Sequence, residues 1–281
     1  MSAAERETGP DRSGEPFQWP PGVAETTNEV RTPATARAVE AAAPAGVWRA
    51  VERVWLAERS APMAERLAAW TPDEPEAYCP RCATSVGAFE ADVDGCAACR
   101  GRRLAWVGAV RLGAYEGVLR EAVRAIKFER DRHAGAVVGK LLGKAVVARL
   151  LRAGVNPATA TVVPVPVSFR RRMARGIDHA LALGRGVAGA GSMDLERALV
   201  RSHRASQTSL PQSVRRRNVS GTMRARAGFD ASGRVVVVVD DVRTTGATMT
   251  EACRAVRRAA RSGEVEIWSC VVGVTGSQGR V

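Results

Sequence analysis

The sequence predicts an α/β protein with a parallel sheet, preceded by a four-cysteine, zinc-ribbon-like module. Three observations carry this. The run RVVVVVDD, Arg234 to Asp241, puts five β-branched residues in a row, as in a strand buried on both faces, and delivers Asp240 and Asp241 at its carboxyl end. Strand-like and helix-like stretches alternate through the second half of the chain. Two Cys-x2-Cys pairs stand upstream of that half, Cys79/Cys82 and Cys96/Cys99.

At 281 residues, 46% of them hydrophobic, the chain has room for one large domain or two small ones with a substantial core. No stretch approaches the ~18–20 uninterrupted apolar residues of a membrane span. The first residues also lack a basic start followed by an apolar block, so a cytoplasmic protein is expected. The net charge of +13 is uneven: residues 1–78 hold eight Arg and thirteen Asp or Glu, net −5, which leaves +18 on 79–281. The later part therefore suits anionic ligands.

Residues 1–45, rich in Pro, Thr, Ala and Glu without an apolar period, read as a disordered leader. Across 46–78, Val47, Trp48, Val51, Val54 and Trp55, then Met63, Leu67 and Trp70, recur at helical spacing and predict amphipathic helices that pack on the rest of the protein. A zinc module over 79–105 and an α/β domain over 106–281 follow. In the latter, GAYEGVLREAVRAIKFERD reads as a strand-turn entering a helix. HAGAVVGKLLGKAVVARLLRAG reads as a second helix with Val137, Val138, Leu141, Leu142 and Ala145 on one face. TVVPVPVS is a strand ending in a proline-constrained loop, and HALALGRGVAGAG a helix. ERALVRSH and TMRARAG are strands around a polar loop. After RVVVVVDD come a helix closed by Gly263 and the last strand, EVEIWSCVVGV.

A two-residue spacer lets both thiolates of a Cys-x2-Cys pair reach one metal ion, so Cys79, Cys82, Cys96 and Cys99 are expected to close a tetrahedral, structural Zn²⁺ site. Cys253 and Cys270, in a predicted helix and strand, are expected in the core.

After the acids, Thr244, Thr245, Gly246, Ala247 and Thr248 open a helix. Free N–H groups there, a glycine allowing close approach and threonine hydroxyls suit a phosphate dianion. Two carboxylates beside a phosphate make sense if they accept hydrogen bonds from vicinal hydroxyls of the same ligand, as in a sugar phosphate. A Walker B strand would need a P-loop, and Gly135-Ala-Val-Val-Gly139-Lys140-Leu141 is one residue short and lacks the Ser or Thr. A DxDxT phosphatase would need Asp at 242, which is Val.

VVVVVDDVRTTGAT resembles the phosphoribosyl pyrophosphate (PRPP) motif of type I phosphoribosyltransferases. The Cys-x2-Cys pairs, AIKFERD, VVPVPVSFRRRMARG and SQTSLPQSVRRRNVSG resemble the ComF family of competence proteins over roughly 79–275. The resemblance implies a type I phosphoribosyltransferase-like core. It also implies Mg²⁺-PRPP as ligand, with Asp240 and Asp241 as catalytic acids and the 244–248 turn on the 5-phosphate. Arg170, Arg171, Arg172 and Arg175, in the loop after the first core strand, would hold pyrophosphate with guanidinium forks. A second loop, between Arg201 and Met223, would close over the site; no acid occurs from Ala198 to Phe229. Asp178 and His179 stand where the family carries two amides. His179 either carries a proton or packs beside the helix it begins, and Lys127 either meets pyrophosphate or base or flanks a core Phe. The activity implied is transfer of the phosphoribosyl group to an acceptor with release of pyrophosphate. Alternatives are a PRPP sensor, or a single-stranded DNA-binding protein in DNA uptake that uses Trp106, Tyr115 and Phe128 for stacking, with a competence-machinery helicase as partner.

Overall fold

The structure, a computed structural model of the chain, describes residues 62–167, 178–202 and 221–276. Contacts divide the chain into Met1–Trp55 and Leu56–Val281, and every described residue belongs to the second unit. The expected leader, the helical pattern before Pro62, the loop arginines Arg170, Arg171, Arg172 and Arg175, and most of the second loop lie outside the described residues.

Within them, a five-stranded parallel sheet has the order β3-β9-β8-β4-β5, with β3 Gly108–Ala114, β4 Ala160–Pro164, β5 Asp194–Leu195, β8 Val235–Arg243 and β9 Glu266–Val274. Helix α3 (Arg132–Arg152) and helix α4 (His179–Gly191) cover one face, and α5 (Ala247–Arg258) the other. Short α1 (Met63–Ala68) buries Leu67 completely, with Met63 and Trp70 packed beside the same core. α2 (Gly117–Arg124) runs into a π turn, Ala125–Glu129. Antiparallel pairs β1 (Ala91–Asp92) with β2 (Gly95–Cys96), and β6 (Leu199–Arg201) with β7 (Met223–Ala225), complete the set. No described helix is long and apolar enough to cross a membrane.

The valine run acts as the sequence suggests, because strand alternation sends successive side chains to opposite faces. Val237 and Val239 join the core under α3 and α4, whereas Val236 and Val238 join the core under α5; all four are fully buried. Cys253 and Cys270 are likewise buried.

Four expectations need correction. Strand β3 begins at Gly108, five residues before the expected strand-turn, and hides in the sequence because its centre is Arg111. That side chain is 2% exposed, its charge met by Asp73 at 2.6 Å and the Ala83 carbonyl at 3.0 Å. β8 does not stop at the acids: its ladder with β9 continues through Val242↔Gly273 and Arg243↔Val274. α5 ends at Arg258, well before Gly263, where Ala259 N–H folds back to the Val256 carbonyl.

The fourth concerns α3. Its buried seam is Gly135, Val138, Gly139, Leu142, Gly143 and Val146, and Val137, Leu141 and Ala145 are only half-buried. Of the glycines that superficially suggested a P-loop, Gly139 is a close-packing point for α4, whereas Gly135 faces Ile126. A Cβ at Gly186 of α4 would lie 2.4 Å from the Gly139 carbonyl carbon, so the two backbones touch. Gly186→Leu must push α3 off α4, and we expect a loss of about 1–3 kcal/mol or more in chemical denaturation. An unchanged denaturation midpoint would contradict this packing.

Candidate functional site

The crevice forms where one strand stops and its neighbour continues. β4 pairs with β8 only as far as Pro164↔Val239, and Val165 N–H makes one more bond to the Val239 carbonyl. Among the described residues the β4 ladder goes no further, and from Asp240 on β8 is paired with β9 alone. The carboxyl end of a parallel sheet is where such folds bind ligands.

The two acids diverge. Asp240 continues the Val236/Val238 set and lines a small cleft with Arg243, residues 244–248 and Met249. Asp241 continues the other set, is 8% exposed, and meets Lys127 Nζ at 2.7 Å and His179 Nε2 at 2.8 Å with one oxygen. Its other oxygen accepts from Val242 N–H at 2.6 Å. Burial, then the charge of Asp241, pushes Asp240 up to about 7. Burial also opposes ionisation of Asp241, but the His179 hydrogen bond and the Lys127 charge outweigh it and hold Asp241 at about 2.

Sequence reasoning did not place Lys127 and His179 on one carboxylate. Lys127 arrives from the π turn, where an extra residue per turn redirects the side chain, and the following Phe128 is 65% exposed rather than core. Asp178 caps α4 by accepting from Leu181 N–H at 3.1 Å, which fixes His179, 6% exposed, at the first helical position. His179 thus both packs beside its helix and serves the acid.

The phosphate-type turn is at the mouth of the same cleft. Gly246 is the N-cap of α5 with φ of 74°, a left-handed backbone that a β-branched residue enters only with strain. Crowding is not the reason for glycine there, since an added Cβ would meet nothing nearer than Arg243 Cδ at 3.7 Å. Thr245 Oγ1 accepts from Ala247 N–H at 3.4 Å.

Cys79, Cys82, Cys96 and Cys99 are buried, and their sulfurs lie within 4.8 Å of one another. The Cys79–Cys99 and Cys82–Cys96 separations are 3.9 and 3.8 Å. These suit the edges of a tetrahedron with metal–sulfur bonds of ~2.3 Å, and far exceed the ~2.05 Å of a disulfide. Cys96 N–H points at Cys79 Sγ at 3.2 Å, as a thiolate ligand requires. The four cysteines are positioned to bind a metal ion.

Sheet residues and Trp106 grip this first cysteine turn by four consecutive carbonyls. Pro80 O accepts from Ala109 N–H at 2.8 Å, Arg81 O from Trp106 Nε1 at 2.7 Å, and Ala83 O from Arg111 at 3.0 Å. Cys82 O accepts from Arg243, whose guanidinium also reaches Thr84 Oγ1 at 3.3 Å. Trp106 is therefore a buried strut, 5% exposed, with no face for base stacking, and Tyr115 is partly buried against the core.

Comparison with known proteins finds a family match, a curated relative and similar solved structures. The phosphoribosyl transferase domain family matches residues 167–277. The DNA utilization protein YhgH of Salmonella typhi is 27% identical over 192 residues, 68% of this chain and 82% of that protein. Among solved structures, the allosteric regulatory enzyme of purine biosynthesis is 23% identical with a TM-score of 0.32, over 49% of this chain and only 26% of that enzyme. A purine phosphoribosyltransferase from Pyrococcus horikoshii Ot3 is 12% identical with a TM-score of 0.29, over 50% of this chain and 87% of that one. The domain match and the five-stranded parallel sheet give this part of the chain a phosphoribosyltransferase-like fold, and over two thirds of its length the chain is similar to a DNA utilization protein.

Proposed function

We propose that the chain binds Mg²⁺-PRPP in the β8–α5 cleft and transfers the phosphoribosyl group to an acceptor, releasing pyrophosphate. The observation that carries this reading is the shared cleft: Asp240 and the 244–248 turn face one space, an acid for sugar hydroxyls beside N–H donors for a phosphate. The 5-phosphate sits on the turn, held by Thr244, Thr245, Gly246, Ala247 and Thr248, and a ribose hydroxyl donates to Asp240. Asp241 acts one step back, paired with Lys127 and His179. Arg170, Arg172 and Arg175 neutralise the pyrophosphate as its bond to C1 breaks and the acceptor's lone pair forms the new bond. Mg²⁺, carried mainly by the ligand's own oxygens, adds charge neutralisation. The four-cysteine site holds structural Zn²⁺ in the 79–105 module, and the protein works in the cytoplasm.

A pyrophosphate-release assay over nucleobases and amines tests turnover. Release with at least one acceptor is the expected result. Tight PRPP binding with no release from any acceptor would make the protein a PRPP sensor instead. The name of the Salmonella typhi relative favours a second reading, binding of single-stranded DNA in DNA uptake. That reading requires affinity that falls steeply with salt and a flatter slope once Arg215, Arg216 and Arg217 are replaced.

A further inference from the structure

We propose that the four-cysteine site and the ligand cleft are energetically coupled through Arg243, a positioning residue, so that metal in the cysteines strengthens binding of a phosphorylated ligand and the ligand strengthens metal binding. The proposal rests on the reading of the cleft given above. Arg243 is the last residue of β8, lines the cleft, and is followed at once by the Thr244-Thr245-Gly246 turn. Its side chain leaves the cleft floor to donate to the Cys82 carbonyl and to approach Thr84 Oγ1. Cys82 supplies one of the candidate ligand sulfurs, and Thr84 Oγ1 lies 3.3 Å from that sulfur.

The guanidinium is largely withdrawn from water, so its partners on the cysteine turn cannot be replaced cheaply by solvent. A metal ion fixes the Cys79–Cys82 turn and, with it, the acceptors that hold Arg243. A fixed Arg243 holds the strand end from which the phosphate turn springs. Without the metal, the acceptors gain freedom and the cleft must be ordered at the ligand's expense. Such linkage is reciprocal in binding free energy.

The test uses the full chain. Metal affinity is measured by competition with a colour-forming chelator, with and without Mg²⁺-PRPP, and PRPP affinity by calorimetry before and after metal removal and restoration. In the parent, each ligand is expected to strengthen the other about ten-fold. Arg243→Gln should weaken metal binding in the absence of PRPP and abolish the mutual effect. Arg243→Lys, which keeps the charge but reaches fewer acceptors, should fall between. Equal mutual effects in parent and Arg243→Gln, or metal affinity untouched by either substitution, would overturn the coupling. If the parent shows no heat with PRPP yet Arg243→Gln still weakens metal binding, the cleft reading fails while the link from Arg243 to the cysteines stands. If Arg243→Gln does not fold, Arg243→Lys decides by the same two measurements.

Discussion

Asp240→Asn is expected to weaken Mg²⁺-PRPP binding by roughly ten-fold to more than a hundred-fold, the worth of a charge-assisted hydrogen bond of about 1.5–3 kcal/mol. The fold should survive, because the carboxylate faces a cleft rather than the core. The same acid predicts a pH dependence. Its folded pKa, about 7, lies above its unfolded value, so the stability linked to it is full in acid and is lost as pH rises through 7. Ionised Asp240 accepts only from Asp241 N–H, at 2.9 Å, among the described residues, and sugar hydroxyls would add donors that favour the charged form. PRPP affinity should therefore rise with pH as the acid ionises, by about ten-fold between pH 6 and 8. Asp240→Asn should remove that part of the profile, leaving only the ligand's own ionisation. Asp241 behaves oppositely: held at about 2, its contribution to stability persists at neutral pH and is lost only as pH falls through 2. An unchanged profile in Asp240→Asn, measured calorimetrically at matched Mg²⁺, would move the ribose contact elsewhere.

The second large effect concerns the cysteines. Cys79→Ser with Cys99→Ser should take the metal content from one zinc per chain to none and cost on the order of several kcal/mol, because metal binding is coupled to local folding. The loss should extend beyond the knuckle, since three carbonyls of its first turn are bonded to sheet residues and a fourth to Trp106 just before β3. A Tm fall of about 2–4 °C per kcal/mol is expected for a domain of this size. Acid should mimic the substitution. Cys79 is pushed up to about 12 by its bond to Cys82 and by burial, and Cys99 up to about 11 chiefly by burial. Both thiols must shed protons to hold a metal, so metal affinity rises with pH. Metal analysis that finds no zinc in freshly purified parent protein, with two disulfides by mass, would refute this.

What the sequence made legible follows from locality. The valine run, the turn after it and the paired cysteines are short-range patterns whose chemistry is fixed by spacing: the run is a strand, though longer than expected, the turn opens a helix, and the four cysteines meet. Lys127, His179 and Arg243 were harder. Each finds its partner across the sequence, on Asp241 or on the cysteine turn, and nothing local announces a salt bridge formed by tertiary contact. Strand β3 was missed for a related reason. An arginine at its centre breaks the apolar pattern, and Asp73, the Ala83 carbonyl and the Tyr78 ring, all far away in sequence, meet its charge. The expected face of α3 holds at Val138 and Leu142, while Val137, Leu141 and Ala145 lie at its margin because glycines let α4 approach along the seam. Splitting of the two acids between opposite faces was implicit in strand alternation, and would have been readable had the strand been extended past them.

The central claim is that the β8–α5 turn holds a ribose-phosphate ligand, and calorimetric titration of the parent and of Gly246→Val with Mg²⁺-PRPP tests it most directly. The account predicts one site per chain in the parent and loss of that site in Gly246→Val, whose β-branched side chain strains the left-handed backbone at φ 74°. No binding by the metal-loaded parent at millimolar PRPP, or equal binding by the two proteins, would contradict it.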